Sequence, residues 1–301
     1  MNYIILDLEW NTAYSKRDRQ FVNEIIEFGA VKLDENFDWI SSYSEFVSPQ
    51  IASRLNSHVK KLTHISAHDL ENSPPYQKVY KDFGKWATDN GKDHPIFLSW
   101  GDMDIRTLIS NNQYFFHRPQ IDYMDEYVDL QAYFMKEQGL PKAKQIGLSD
   151  AAELIHEDPD QFIHHRALDD SKLAAVCLKA VYNEDRFENA IVDCDEEMYK
   201  RILFKPYFLH DIHDKELDPN MLKCRCMHCS EEAEQSGTWN FNNNSFHGVF
   251  ICSHCNVKYR VNISFKRTYN QVITKKNVIE LKPQHSKRSK KAHADRRRQS
   301  N

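Results

Sequence analysis

The first ten residues constrain the fold most. Tyr3-Ile4-Ile5-Leu6 is a short apolar run with the character of a buried strand, and it ends in Asp7-Leu8-Glu9. In a strand the side chains at i and i+2 share a face, so both carboxylates point the same way. Like charges held that close repel each other unless a cation lies between them, and Mg²⁺ prefers oxygen ligands of this kind. Solvated strand ends often carry such acids without function, so the pair gains meaning only from its company.

The pattern that follows sets the fold class. Residues 25–33 read as a second strand and Phe37–Val47 as a third, with Asp34-Glu35-Asn36 as the turn between them. Residues 76–90 show helical spacing through Val79, Phe83 and Trp86, and residues 95–100 form another short buried strand. A helix is expected from Asp102 or Asp104 to about Ser110, and two more over 125–138 and 147–156. From Asp170 to Asn183, Leu173, Val176, Cys177, Ala180 and Val181 fall on one helical face. Strands first, then alternating helix and strand, predict an α/β fold with a mixed sheet covered by helices. The expected organisation is a domain over 1–185, a polar helical connector over 186–222, a small β-rich module over 223–282 and a basic disordered tail over 283–301.

Two further acidic motifs accompany the first. Ser99-Trp100-Gly101-Asp102-Met103-Asp104 follows a strand. Aspartate is favoured at helix N-caps, so Asp102 is assigned the cap and Asp104 the chemistry. His165-Arg166-Ala167-Leu168-Asp169-Asp170 places a histidine on a loop before a helix and an acid five positions on. His164 with Asp169 has the same spacing, and the chain holds fifteen histidines.

Taken together, these motifs resemble the DEDDh (DnaQ-like or RNase T-like) 3′→5′ exonuclease superfamily over roughly residues 1–185. Asp7 and Glu9 match its D-x-E on the first strand, Asp104 its aspartate opening a helix after a central strand, and His165 with Asp170 its H-x4-D at the final helix. The family's aspartate sits one step further into the helix than Asp169, which selects the register of His165 and Asp170. The runs 100–104 and 168–172 look most like the Eri-type, histone-mRNA branch, which acts on RNA.

The resemblance implies a ribonuclease H-like mixed sheet and catalysis by Asp7, Glu9, Asp104, His165 and Asp170. The four carboxylates would hold two Mg²⁺ or Mn²⁺ ions, and His165 would act as general base; an imidazole pKa near about 6.5 suits that task. Leu62, Thr63 and Ile65 resemble the family's substrate loop, and Leu62, Ile65 and Met103 are expected to pack on the terminal bases. The expected activity is release of nucleoside monophosphates from single-stranded nucleic acid 3′ ends, with RNA favoured. A DNA exonuclease of proofreading or repair type and a catalytically silent nucleic-acid-binding protein are the alternatives.

The cysteines give a second, independent signal. Cys226-Met227-His228-Cys229 and Cys252-Ser253-His254-Cys255 are two CxxC pairs with 22 residues between them, close to the spacing of structural zinc sites. One Zn²⁺ on Cys226, Cys229, Cys252 and Cys255 would close a ribbon too small to bury an adequate core alone. Cys224 is a possible substitute for Cys226, while His228 and His254 rank below the thiolates. Aromatic residues at 239, 241, 246, 250, 259, 265 and 269 interleave with Lys258, Arg260, Lys266 and Arg267. The aromatics are read mainly as the ribbon's core and the basic residues as nucleic-acid contacts.

Charge is uneven. The chain's net charge is −4, yet residues 285–301 carry +6 and residues 224–284 carry +4, which leaves −14 for residues 1–223. A basic C-terminal third suggests a polyanionic partner, with structured RNA or a ribosomal surface as options. No run of eighteen apolar residues and no signal peptide are apparent, so no membrane association and a cytoplasmic location are expected.

Overall fold

The computed structural model describes residues 1–141, 145–162 and 165–282. It forms two compact units, Met1–Leu203 and Phe204 onward. The tail 283–301 and His164 lie outside the described residues.

The first unit is built on β1 (Tyr3–Ser15), β2 (Gln20–Leu33), β3 (Trp39–Phe46), β4 (Ile96–Ser99), β5 (Glu126–Asp129) and β6 (Val192–Asp193). Their order in the sheet is β3-β2-β1-β4-β5-β6. β1 pairs antiparallel with β2 but parallel with β4, and β4 pairs parallel with β5, so the sheet is mixed. Alternation along β1 sorts the core. Ile4, Leu6 and Leu8 pack with α3 (Tyr76–Ala87) and α4 (Met103–Phe116), while Tyr3 and Ile5 pack with α5 (Leu130–Glu137), α6 (Leu148–Leu154) and α7 (Ala167–Val181). Two short helices, α1 (Ser57–Thr63) and α2 (Ala67–Leu70), lie between β3 and α3.

The structure departs from the sequence reading in three places. Residues 125–138 are not one helix: Glu126–Asp129 pairs with Ile96–Ser99 as β5, and the Asp129 carboxylate then caps α5 by accepting from Ala132 N. Four residues are too few for periodicity to tell a strand from a helical turn. β1 and β2 run well past the apolar segment into a polar hairpin, where Tyr14 faces Phe21 across the strands. The stretch read as a connector is divided: α8 (Glu184–Glu188), β6 and α9 (Glu196–Leu203) belong to the first unit, where Met198 and Tyr199 are buried in its core.

The second unit is an antiparallel sheet of β7 (Tyr207–Phe208), β8 (Cys224–Arg225), β9 (Glu232–Asn242), β10 (Ser245–Cys252), β11 (Val257–Arg267) and β12 (Val272–Leu281). Five of the aromatics in the interleaved run fill its interior. Trp239, Phe250 and Tyr259 pack with the cysteines, and Phe246 and Phe265 pack with Leu209 and Leu217.

Candidate active site

Three elements converge on the two central strands of the first sheet, β1 and β4. β1 supplies Asp7 and Glu9 before a register shift at Glu9/Trp10. The turn after β4 supplies Asp104. Gly101 adopts φ +87°, a conformation that glycine reaches without strain, and its carbonyl accepts from both Ser99 Oγ (2.7 Å) and Tyr127 Oη (2.8 Å). This turn places Asp104 in the first turn of α4, 4 % exposed, where its Oδ1 accepts from Leu8 N at 3.1 Å. Asp102 occupies the N-cap position without capping: its carboxylate instead pairs with Arg106 Nε at 2.8 Å. The sequence assignment of Asp102 as a side-chain cap is therefore corrected, because the i+4 guanidinium competes for its oxygens.

Helix α7 supplies Asp170. Its N-terminus lies against β2 because position 29 is glycine: a Cβ there would sit 2.1 Å from Ala167 C and Leu168 N. Ser171 Oγ ties the contact by donating to Gly29 O at 3.0 Å. Just before the helix, His165 has φ +58°, in the left-handed region that histidine enters more readily than most side chains. Oxygen or nitrogen atoms of Glu9, His165 and Asp170 lie within 4.8 Å of one another.

Asp7, Glu9, Asp104, His165 and Asp170 all line one cleft of about 580 Å³, together with Leu62, Thr63 and Met103. Leu62 and Met103 are 39 % and 48 % exposed there and give the cleft an apolar wall. Ile65 does not join them. It is 2 % exposed and packs with Ile26 and Leu70, because Thr63 Oγ1 accepts from its N–H and turns the chain inward.

The carboxyls are electrostatically frustrated. Burial, and then Asp104, Asp170 and Glu9, hold the Asp7 carboxyl well above the usual range. Burial and then Asp170 and Glu27 push Glu9 up to about 8, and burial is the main cause that raises Asp104 to about 7. Arg166, whose charge acts the other way on Glu9, pairs with Glu27 at 2.9 Å, and Glu27 also accepts from Ala167 N. A cluster of carboxyls raised this far by burial and by one another is the electrostatic setting in which a divalent cation binds. The donor set fits hard divalent ions, since it consists of carboxylates with one imidazole beside them.

Sequence reasoning did not single out Glu27, Arg166, Trp10, Thr12, His58, Trp100 or Asp150. Glu27 faces Glu9 across β1 and β2, and the other five besides Arg166 line the cleft. An acid inside the otherwise apolar run of β2 was the available signal for Glu27. The remainder come from loops and helix ends with no local pattern.

In the second unit the sulfurs of Cys226, Cys229, Cys252 and Cys255 lie within 4.8 Å of one another. The Tyr259 hydroxyl is 3.1 Å from Cys226 Sγ and pulls that thiol down to about 6. Backbone N–H groups of His228 and Cys255 donate to Cys226 and Cys252 at 3.4 Å. Cys224 is buried outside the cluster, with its thiol directed to Arg225 O, and His228 pairs with Glu280. The cluster offers four soft ligands, the donor set of structural zinc.

Residues 4–178 match the RNase_T exonuclease family. ERI1 exoribonuclease 3 of Mus musculus and of Homo sapiens are each 24 % identical over 185 residues, covering 60 % of this chain and 53 % of theirs. The chain thus spans about half the length of these curated relatives. DNA polymerase III PolC-type of Clostridium perfringens is 26 % identical over 219 residues, which cover 70 % of this chain and 13 % of that protein. Among solved structures, the nuclease domain of 3′hExo, a DEDDh family member bound to rAMP, superposes with a TM-score of 0.52 at 21 % identity, covering 59 % of this chain and 90 % of that one. A 3′-exonuclease in 3′-end specific recognition of histone mRNA stem-loop gives 0.52 at 18 % identity, covering 65 % and 91 %.

Proposed function

The chain belongs to the RNase_T exonuclease family, and from that premise we propose that it is a 3′→5′ exonuclease acting on single-stranded nucleic acid, RNA in preference to DNA, with release of nucleoside monophosphates. The observation that carries this reading is the convergence of Asp7, Glu9, Asp104, Asp170 and His165 from three separate segments into one cleft.

In this reading Asp7, Glu9, Asp104 and Asp170 hold two Mg²⁺ or Mn²⁺ ions. Bound there, the ions would supply Lewis-acid stabilisation of charge developing on the phosphodiester. The chain's own groups do the rest. His165 Nδ1 or Nε2 accepts the proton of the attacking water, a role supported by its lying within 4.8 Å of carboxylate oxygens of Glu9 and Asp170. Leu62 and Met103 offer apolar surface to the terminal bases, and Thr63 and Trp10 narrow the cleft around them. The Arg166–Glu27 pair orients the start of α7, and with it the His165 turn and Asp170.

The preference for RNA is supported by the exoribonuclease relatives, while the PolC-type relative favours DNA. Matched RNA and DNA single strands incubated with the protein and Mn²⁺ decide between them. Stepwise shortening from the 3′ end with faster loss of RNA is expected; no shortening of either strand would refute the enzymatic reading.

The second unit would hold one Zn²⁺ on Cys226, Cys229, Cys252 and Cys255. It is also proposed as an auxiliary nucleic-acid contact. Lys258, Arg260 and Lys266 alternate with buried Tyr259, Val261 and Phe265 along β11, and Lys275 faces Ser264 from β12. All four cations therefore share the open face of the sheet, and none has a carboxylate partner among the described residues.

A further inference from the structure

A second groove adjoins the catalytic cleft, and its charge is opposite. It measures about 530 Å³ and runs between the β1–β2 hairpin and residues 50–54. Thr12 lines both cavities. The charged residues of the catalytic cleft are carboxylates and histidines, whereas those of the second groove are Lys16, Arg17 and Arg54. This cationic wall lies in an acidic body, so it is a local departure from the field around it.

The groove is preformed. One wall hangs on two buried polar side chains that have no part in the chemistry. Glu24, 2 % exposed, accepts from Gln50 N, Ile51 N and Ala52 N at 2.5, 2.6 and 2.9 Å. Asn11, 1 % exposed, accepts from Asn56 N at 2.8 Å and donates to Arg54 O at 3.4 Å. A carboxylate that satisfies three backbone donors fixes a loop that has no secondary structure of its own. In the other wall Arg17 lies over the Tyr114 ring at 3.7 Å, donates to Tyr114 O at 2.9 Å and pairs with Asp18. Lys16 and Arg54 are exposed and have no carboxylate partner among the described residues. Tyr14, about half exposed, gives the groove an aromatic face.

We propose that this groove carries the nucleotides upstream of the 3′ end, with Lys16 and Arg54 on the phosphates and Tyr14 under a base. The proposal rests on the exonuclease reading only for direction: the end enters the acidic cleft, and the following phosphates meet Lys16 and Arg54 in the groove that shares Thr12 with it. Cationic grooves with an aromatic platform suit single strands of any sequence. Glu24 and Asn11 are positioning residues, since they shape the wall and touch no nucleotide.

The test pairs Lys16→Ala/Arg54→Ala with the unaltered chain. Binding of a labelled 12-nucleotide single-stranded RNA is measured by anisotropy in Ca²⁺, and turnover of the 12-mer and of a dinucleotide is measured in Mn²⁺. Two lost exposed ion pairs predict a Kd about tenfold higher for the 12-mer. They also predict a log Kd against log salt slope shallower by about 1.4, since single strands contribute about 0.7 per phosphate. The KM for the 12-mer should rise in step, and that for the dinucleotide by less than about twofold, because it ends before the groove. A Kd unchanged within twofold overturns the proposal, as does an equal loss on both substrate lengths. If the unaltered chain binds the 12-mer through Lys16 and Arg54 but shortens neither substrate, the groove stands and the exonuclease reading falls.

Discussion

Gly29 and Ala167 are in backbone contact: a Cβ on Gly29 would lie 2.1 Å from the Ala167 carbonyl carbon. Gly29 is also the residue opposite Asp7 in the β1–β2 ladder. One missing methyl group therefore sets the spacing between the strand bearing Asp7 and the helix bearing Asp170. Gly29→Ala should push α7 away, destabilise the fold by about 3 kcal/mol and lower Tm by roughly 6–12 °C for a unit of this size. Thermal unfolding with parallel activity measurement checks it; an unchanged Tm would mean the helix yields without consequence.

The carboxyl cluster makes a stability prediction with a definite sign. Glu9 and Asp104 are raised to about 8 and about 7, and Asp7 is raised as well. A carboxyl whose folded pKa exceeds its unfolded value favours folding when protonated, and that contribution is lost as pH rises from the ordinary carboxylate range through the folded pKa. Metal-free protein should melt at a lower temperature at pH 8.5 than at pH 6, and Mn²⁺ should raise Tm more at the higher pH. Asp7→Asn should remove part of this penalty, melting above the parent without metal, while hydrolysis falls by at least roughly 10²-fold. Near-normal turnover by purified Asp7→Asn would falsify the assignment of this site.

His165→Ala should lose roughly 10²–10⁴-fold in rate if the imidazole is the general base. His164→Ala should lose far less. Single-turnover rates on a short RNA separate the two, and a larger loss at His164 would overturn the register chosen for the H-x4-D pair.

The cysteine cluster should bind one zinc per chain. Cys226→Ser or Cys255→Ser should release it and unfold the second unit, since the metal's binding energy is folding energy in a module this small. Cys224→Ser should keep the zinc, because its sulfur lies outside the cluster. Elemental analysis and circular dichroism provide the readout; zinc-free protein with an intact second unit contradicts the assignment.

Charge reversal on the open face of the second sheet, Lys258→Glu/Arg260→Glu, should weaken binding of long single-stranded RNA and flatten its salt dependence. Turnover of a dinucleotide is the control. Unaltered binding would mean that this face serves a partner other than nucleic acid.

Much of this was legible in residue order alone. The apolar run before Asp7, the i, i+2 spacing of Asp7 and Glu9, the amphipathic α7 and the paired CxxC motifs are local patterns, and local patterns reflect backbone periodicity and ligand geometry directly. The same locality explains what was missed. β5 spans four residues, too few to show a period, and became a strand only by pairing with β4. Ile65 looked like a partner of Leu62 but turns into the core through a hydrogen bond from its own N–H to Thr63. The Arg166–Glu27 pair joins residues 139 apart in sequence, and the Glu24 and Asn11 contacts that build the second groove cross gaps of 26–28 and 43–45 residues. The sequence determined which side chains carry charge, sulfur and apolar surface, and which strands and helices present them. Tertiary packing alone decided which of them meet, because a hydrogen bond or a close contact depends on distance in space, and separation along the chain does not encode it.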